Sequence, residues 1–581
     1  MKCSRVISKS FMLQLSGLLV MLLATVARAG EGDMLTTAPP KPVRIPAEFE
    51  PMQTVVVDWQ MIDNPDFYKR IAEDVNMVLL YNSDDEYQEM QTKLPTYGLD
   101  MNRCEFNRTV YDPIPRDDLP WLLFIDRNKS AFMGNGVIAG SAAEWFPRQG
   151  YPMYYSGVPT PGGDFMTDGQ GAAVSLQFIA DHYRFLYGDA GYTLAERVLD
   201  YWGIHTYHII SNPVTREFSI PPHIDCLAKF LSPDTILVVR YSSSNPLYER
   251  TEAAAAYFRR QISCYGTPYR VLRLDIPKDE PYINSLILNR KVLVPTMARA
   301  SDADALAVYR AAMPGYEVIG FDNPVSTKKS KPSKWGSFWA LHCDTLGIAD
   351  AKMLYIKHVP LLDRPPESQG FPIRAEIEAF SGTEFVEGTP VVVWRAVHDV
   401  NDPEAAASWN TVAMAPDPGA GERQYLAYIP VQPVGMKVQY YLRAKDASGR
   451  DETHPYIGKA QAHTFSVATL GSSVSAVSAA RGGSIEFYAN LGPDKGLQTY
   501  HLCCSILDGL DGPNTLDVAL PETMVFSGFD GVLDDCGMGV ARLTLPPSLA
   551  SEWVGRVLRF SLELGEPRIA VPDTISVQIL E

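Results

Sequence analysis

Cysteine is scarce in this chain: eight among 581 residues, with no C-x-x-C pair and no zinc-ligand spacing. A cysteine-built zinc site is thereby excluded. No EF-hand loop is present, so calcium binding of that kind is excluded as well. Basic residues are outnumbered, 51 Lys and Arg against 68 Asp and Glu, for a formal charge of −17. That argues against nucleic acid as a partner, which needs a basic patch to meet its phosphates. Long apolar runs are absent beyond the N-terminus, and no later run approaches the roughly 20 residues a membrane span needs.

The one long run, "FMLQLSGLLVMLLATV", follows Lys2, Arg5 and Lys9 and precedes Ala27-Arg28-Ala29. A basic flank, an apolar stretch and an A-x-A site read as a cleaved export signal over 1–29. The mature protein is therefore expected to be secreted or periplasmic. Cleavage removes four basic and no acidic residues, leaving −21, which favours encounter with a cationic substrate. Seven cysteines then remain, an odd number, so an oxidising compartment leaves at least one unpaired. Cys503, Cys504 and Cys536 could supply one disulfide, whereas Cys104, Cys226, Cys264 and Cys343 are scattered.

From about 45 to 367 short strand-like runs alternate with amphipathic helical stretches. "TVVVDW", "LLFID", "YHIIS", "TILVVRY", "KVLVPT" and "YEVIGF" are the strands, bounded by turn residues. "AAVSLQFIADHYRFLYG", "LYERTEAAAAYFRRQISCYG" and "DADALAVYRAAMPG" carry apolar residues three to four apart and end in glycine, as helices do. This is an α/β region. Beyond "LDRPPESQGFP" the pattern turns to period two, as in "TPVVVWRAV" and "KVQYYLRAKD". A β-sandwich of immunoglobulin type is expected over 371–468. A Ser/Gly/Ala linker, "TLGSSVSAVSAARGG", then leads to a β-rich unit over 484–581.

"ALHCDTLGIAD" places Cys343 beside His342. A lone cysteine is more often buried filler than nucleophile, so its company decides. Asp117, Asp164, His223, Asp225 and Asn284 stand out on short polar stretches. The step is 47 residues from Asp117 to Asp164 and 59 from Asp164 to His223. It is 59 again from Asp225 to Asn284 and from Asn284 to Cys343. Near-constant spacing suggests repeated units about an axis, each sending one residue to a shared centre. On extended backbone, residues i and i+2 share a face. His223 and Asp225 should then project together. His342 and Cys343 should point apart, which makes His342 a poor base for the thiol and His223 the better one.

"PAEFEPMQTVVVDW", "GGDFMTDGQGAA", "HIDCLAKFL", "YINSLILNRKVLVPT" and "ALHCDTLGIAD" occur in this order. Together they resemble the guanidine-modifying superfamily, and more narrowly the bacterial peptidylarginine deiminases, relatives of agmatine deiminase. The resemblance covers roughly 45–365 and implies a five-bladed pseudo-symmetric α/β propeller with its site on the axis. It implies Cys343 as nucleophile, His223 as general acid/base, Asp117 and Asp225 as carboxylates gripping a guanidinium, and Asn284 as a polar assistant. The implied reaction converts peptidyl arginine to citrulline and ammonia through a cysteine thiouronium, with no metal and no cofactor. The chemistry suits a guanidinium, a planar cation that carboxylates hold in bidentate fashion and a thiolate attacks.

The chain also departs from the family. "W-T-R-D-x-G-P-W" is Ile114-Pro-Arg-Asp-Asp-Leu-Pro-Trp121, so Ile114 replaces the flanking tryptophan and Leu119 the glycine. "G-G-N" becomes Gly162-Gly163-Asp164, adding an anion, and Asp344 follows the cysteine where the peptidyl enzymes carry arginine. An acid there disfavours a resting thiolate. The family's Arg-x-Arg clamp for a C-terminal carboxylate is missing, with only Arg127 and Arg148, far apart. Peptidyl-arginine, free arginine and agmatine therefore stay open as substrates, as does a binding protein on a degenerate scaffold. Four lysines within 326–336, "STKKSKPSKWG", read as a solvated loop or as an aid to the thiol. The sequence fixes no oligomeric state.

Overall fold

The computed structural model describes residues 34–59, 64–109, 114–134, 145–158, 160–188, 193–211, 223–277, 280–322, 341–400, 409–509, 515–516, 521 and 523–581. The export signal and the lysine stretch 326–336 lie outside the described residues.

The region before residue 350 is a mixed α/β fold of five separate small sheets, each built on one plan. A short strand pairs antiparallel with a second, and the second pairs parallel with a third. In chain order the first two are Trp121–Ile125 with Lys129–Gly134 and Met153–Tyr155, and Met166–Thr167 with Ala172–Leu176 and Thr206–Ile210. Next come Ala228–Ser232 with Thr235–Tyr241 and Arg270–Ile276, and Leu286–Leu288 with Lys291–Thr296 and Glu317–Asp322. The fifth is completed across the chain: Thr345–Ala349 pairs with Met52–Asp58, which runs parallel to Asn76–Tyr81. Parallel neighbours need crossover connections. Helices such as Pro65–Ala72, Tyr248–Arg259 and Asp302–Ala312 occupy them.

The plan explains the spacing. Each candidate residue sits in a turn immediately before the first strand of a sheet: Asp117 before Trp121, Asp164 before Met166, Asp225 before Ala228, Asn284 before Leu286 and Cys343 before Thr345. One repeat of the unit is one step in sequence.

The strand-like runs all form strands. "AAVSLQFIADHYRFLYG" instead divides, its first half forming Ala172–Leu176 and only Gln177–Tyr187 winding as helix. Val174 and Leu176 are wholly buried in a sheet, and burial on both faces erases the alternation that marks a strand. Leu194–Trp202 carries no such ambiguity: Thr193 and Glu196 form a capping box, and Gly203 closes the helix in the left-handed region, as helix ends favour.

Beyond residue 350 two antiparallel sheets pack face to face around Phe371, Ile373, Tyr440, Leu442 and Phe465. Leu354–Lys357, on the α/β side of the sequence-read boundary, pairs with Phe371–Ala379 and belongs to this unit. The segment read as a linker is likewise built in: Leu470–Ser472 and Ala476–Ser478 join the two sheets of the last unit. Cys503, Cys504 and Cys536, which could supply one disulfide, are free thiols in this structure. Cys503 and Cys504 are neighbours on one strand, Thr499–Leu507, and point to opposite faces of it.

His358 links the second unit's strands. One ring nitrogen meets the Arg374 carbonyl at 2.7 Å and the other meets the Tyr440 hydroxyl at 2.8 Å. Burial holds this imidazole down to about 4, against an ordinary 6.5. The unfolded chain therefore binds the proton that the folded chain refuses, and stability falls as pH drops from 6.5 toward 4. Thermal unfolding at pH 7 and pH 5 is expected to show this loss, at up to about 1.4 kcal/mol per pH unit. His358→Gln should flatten that part of the slope.

Candidate active site

Four turns converge. Gly163 marks the point: a Cβ built on it would lie 2.9 Å from Asp117 Oδ1, 2.9 Å from His223 Nδ1 and 3.0 Å from Asp225 Oδ2. Three titratable groups, Asp117 from one turn and His223 and Asp225 from another, thus face one position that only glycine leaves open. Its neighbour Gly162 is needed for packing, since a Cβ there would stand 1.9 Å from the Arg116 carbonyl oxygen. The Gly163 amide donates to Asp117 Oδ1 at 2.8 Å. Gly163→Ala is expected to fold yet lose at least about a hundredfold in kcat/KM, because ångström-scale displacement of positioned groups costs that much. Kinetics alongside a thermal melt would check it.

Asp225 is the hub. Its Oδ2 accepts the Cys343 thiol at 3.2 Å and His342 Nδ1 at 2.9 Å, and its Oδ1 accepts the Cys226 thiol at 3.5 Å. Burial works to raise its pKa, but the His342 bond, His342 and His223 charges and the thiol contact outweigh it and hold the group at about 2. Asp117, partly buried, moves the other way: desolvation raises it, opposed chiefly by His223 at 3.5 Å. The two acids that would grip one substrate thus differ in proton affinity.

Asn284 fixes the turn that carries the thiol. Its side-chain oxygen accepts the amides of His342 and Cys343 at 2.8 and 3.3 Å, and its Nδ2 donates toward Cys343 Sγ at 3.4 Å. The thiol itself is pushed well above its ordinary value by burial, then by Asp225, Asp117, Cys226 and Asp344. Asp344 opposes a resting thiolate, as its position in sequence suggested.

Two expectations change. His342 and Cys343 do not point apart, because residues 341–344 form a turn rather than a strand. Period-two alternation holds only on extended backbone, and here both side chains reach the same carboxylate oxygen. His223 and Asp225 do face the same point, although Ile224–Cys226 is a 3₁₀ turn. Asp164, expected to add an anion, is buried beneath the gripping groups. Its Oδ1 accepts the amides of Leu176 and Ile224, both at 3.0 Å, and its Oδ2 is buried without a hydrogen-bond partner. Burial, helped by the Asp225 and Asp117 charges, raises its pKa well above its ordinary value. It ties the Gly162–Asp164 turn to the His223 turn.

Residues not singled out from sequence complete the site. Glu48 meets His342 Nε2 at 2.8 Å, Lys229 Nζ at 2.9 Å and the Ile287 amide at 2.6 Å. Burial would raise Glu48, but Lys229 and then His342 hold it well below its ordinary range. Arg116, almost wholly buried, directs Nε at the His342 carbonyl at 3.4 Å. Of the two acids in "PAEFEP", Glu48 meets His342 whereas Glu50 pairs with Arg44, a difference only the fold shows. Arg127 and Arg148 are both exposed, with Arg148 bonded to Asn107 at 3.0 Å. Ile114, in the place of the family's tryptophan, ties its amide to Asp118 at 2.8 Å.

A family model, Porphyromonas-type peptidyl-arginine deiminase, matches residues 44–329. Among solved structures, a putative agmatine deiminase is 17% identical over 55% of this chain and 99% of its own, with a TM-score of 0.46. Agmatine deiminase of Enterococcus faecalis is 17% identical over 55% of this chain and 100% of its own, at 0.45. A putative arginine deiminase from Porphyromonas gingivalis is 20% identical over 53% of this chain and 99% of its own, at 0.44.

Proposed function

Because the chain belongs, through residues 44–329, to the Porphyromonas-type peptidyl-arginine deiminase family and is a deiminase, we propose that it hydrolyses arginine side chains of peptides to citrulline, with release of ammonia. The observation that carries this reading is the convergence of Asp117, His223 and Asp225 on Gly163, with the Cys343 sulfur 3.2 Å from Asp225 Oδ2.

The two carboxylates would take the guanidinium N–H groups in bidentate fashion. The bound cation offsets the carboxylates that oppose ionisation of Cys343, so the thiol passes its proton to His223 and the thiolate forms with substrate in place. Sulfur adds to the guanidinium carbon. His223 passes a proton to the departing nitrogen and ammonia leaves a thiouronium. His223 then takes a proton from water as its oxygen adds to the same carbon, and the C–S bond breaks as the added hydroxyl loses its proton to solvent, returning the thiolate and releasing the ureido product. The five sheets serve as the blades of an α/β propeller, with these turns at its axis. Asp164 is proposed to act only by holding two of the turns. The protein works outside the cytoplasm after cleavage near Ala29, and the two β units behind the catalytic region, the first of immunoglobulin type, suit a peptide or protein target.

Incubation with a peptide carrying internal and C-terminal arginine, with free arginine and with agmatine tests the reading. Ureido product from the peptide at the highest kcat/KM is expected. Product from agmatine or free arginine alone would move the assignment to a small-molecule deiminase, a reading favoured by the missing Arg-x-Arg clamp.

A further inference from the structure

Behind Asp225 lies a buried line of charges that the reaction above does not use: His342, then Glu48, then Lys229. His342 is 1% exposed and Lys229 1%, so neither shares its partners with solvent.

The two ring nitrogens of His342 face two different carboxylates, Nδ1 to Asp225 at 2.9 Å and Nε2 to Glu48 at 2.8 Å. A neutral imidazole has one donor and one acceptor. In that state one contact would set a lone pair against a carboxylate oxygen. Glu48 otherwise receives only donors, an ammonium and a backbone amide. Asp225 likewise receives only thiol protons on both its oxygens. Among the described residues, Arg116 reaches the His342 carbonyl and Asp117 lies within electrostatic reach of the ring. Lys229 and an imidazolium balance Glu48 and Asp225 two for two.

We infer that Glu48 and His342 are positioning residues: they clamp Asp225 from behind through a doubly donating imidazolium, keeping that carboxylate ionised and immobile for the guanidinium. This rests on the deiminase reading for what Asp225 grips, though not for the clamp itself. Residues 342 and 343 are consecutive, so the same clamp fixes the nucleophile's turn. A carboxylate held on one side by a cation loses less entropy when a second cation arrives on the other.

The first test needs no substrate, and so stands apart from the deiminase reading. Ring 1H–15N correlation spectra of histidine-labelled wild-type protein, assigned by ring-to-backbone correlation, should show both nitrogens of His342 protonated at pH 7. An unprotonated ring nitrogen there overturns the inference. The second uses His342→Asn, which keeps a neutral donor toward Asp225 but no charge and no reach to Glu48. Glu48→Gln keeps the shape and removes the counter-charge. In His342→Asn the acid limb of kcat/KM should move up by roughly one to three pH units, as for a carboxylate losing a cation. Its kcat should fall about a hundredfold, and Glu48→Gln should shift the limb in the same direction by less. A loss equal at every pH, with the limb unmoved, would mark both residues as merely structural. If both variants unfold, the wild-type spectrum alone decides.

Discussion

Alanine in place of Cys343 is expected to lower kcat by at least about 10⁴-fold while leaving the melting temperature near wild type, since removing a covalent nucleophile costs factors of that order. The side chain is small and buried, and the resting thiol is neutral, so its removal leaves Asp225 still paired with His342. Cys226 is the control, because its sulfur also contacts Asp225, at 3.5 Å but on the other oxygen. Gly163 lies against Oδ2, the Cys343 side. Cys226→Ala should therefore keep most of its activity. Equal losses in the two variants, measured as ureido product from an arginine peptide, would show that the sulfur nearest the carboxylate is not the attacking atom. In free enzyme the raised thiol pKa should make alkylation of Cys343 by iodoacetamide slow at neutral pH and faster as pH rises.

Asp225→Asn should have an effect of similar size on catalysis and the largest on stability. The substitution removes the charge proposed to hold half of the guanidinium and the carboxylate that faces the thiol and His342. A fall of roughly 10³–10⁴ in kcat/KM is expected, the order seen when a group that acts in concert with its neighbours is removed. Breaking a buried charged pair on one side typically costs about 3–5 kcal/mol. The pH dependence gives a check on cause. Asp225 is held at about 2 against an ordinary 3.8. Its contribution is therefore fully present above 3.8 and is lost as pH falls toward 2. Denaturant unfolding of wild type and variant should show a gap that narrows over that interval. A gap independent of pH would locate the cost in packing instead.

Much of the site is legible without coordinates because it is local in sequence. The turn residues Asp117, Asp164, Asp225, Asn284 and Cys343 recur at near-equal steps, since each opens the same sheet plan. The strand runs are legible for the same reason: six apolar stretches bounded by turn residues leave the chain few alternatives. Reading failed where the local backbone was misjudged. Alternation assigned His342 and Cys343 to opposite faces, and a four-residue turn put both on Asp225.

Residue chemistry, spacing and the family resemblance determined that a thiol, an imidazole and two carboxylates belong to one centre. What the tertiary structure alone decided is the charge state and support of that centre. Glu48 and His342 are 294 positions apart, and their 2.8 Å contact exists only because the last of the five sheets is closed by strands from the two ends of the region. Asp164 and Asp225 are the same residue type, yet burial raises the pKa of one while His342 lowers that of the other. A carboxylate's proton affinity is set by what faces it across space, and that is a property of folding rather than of order along the chain.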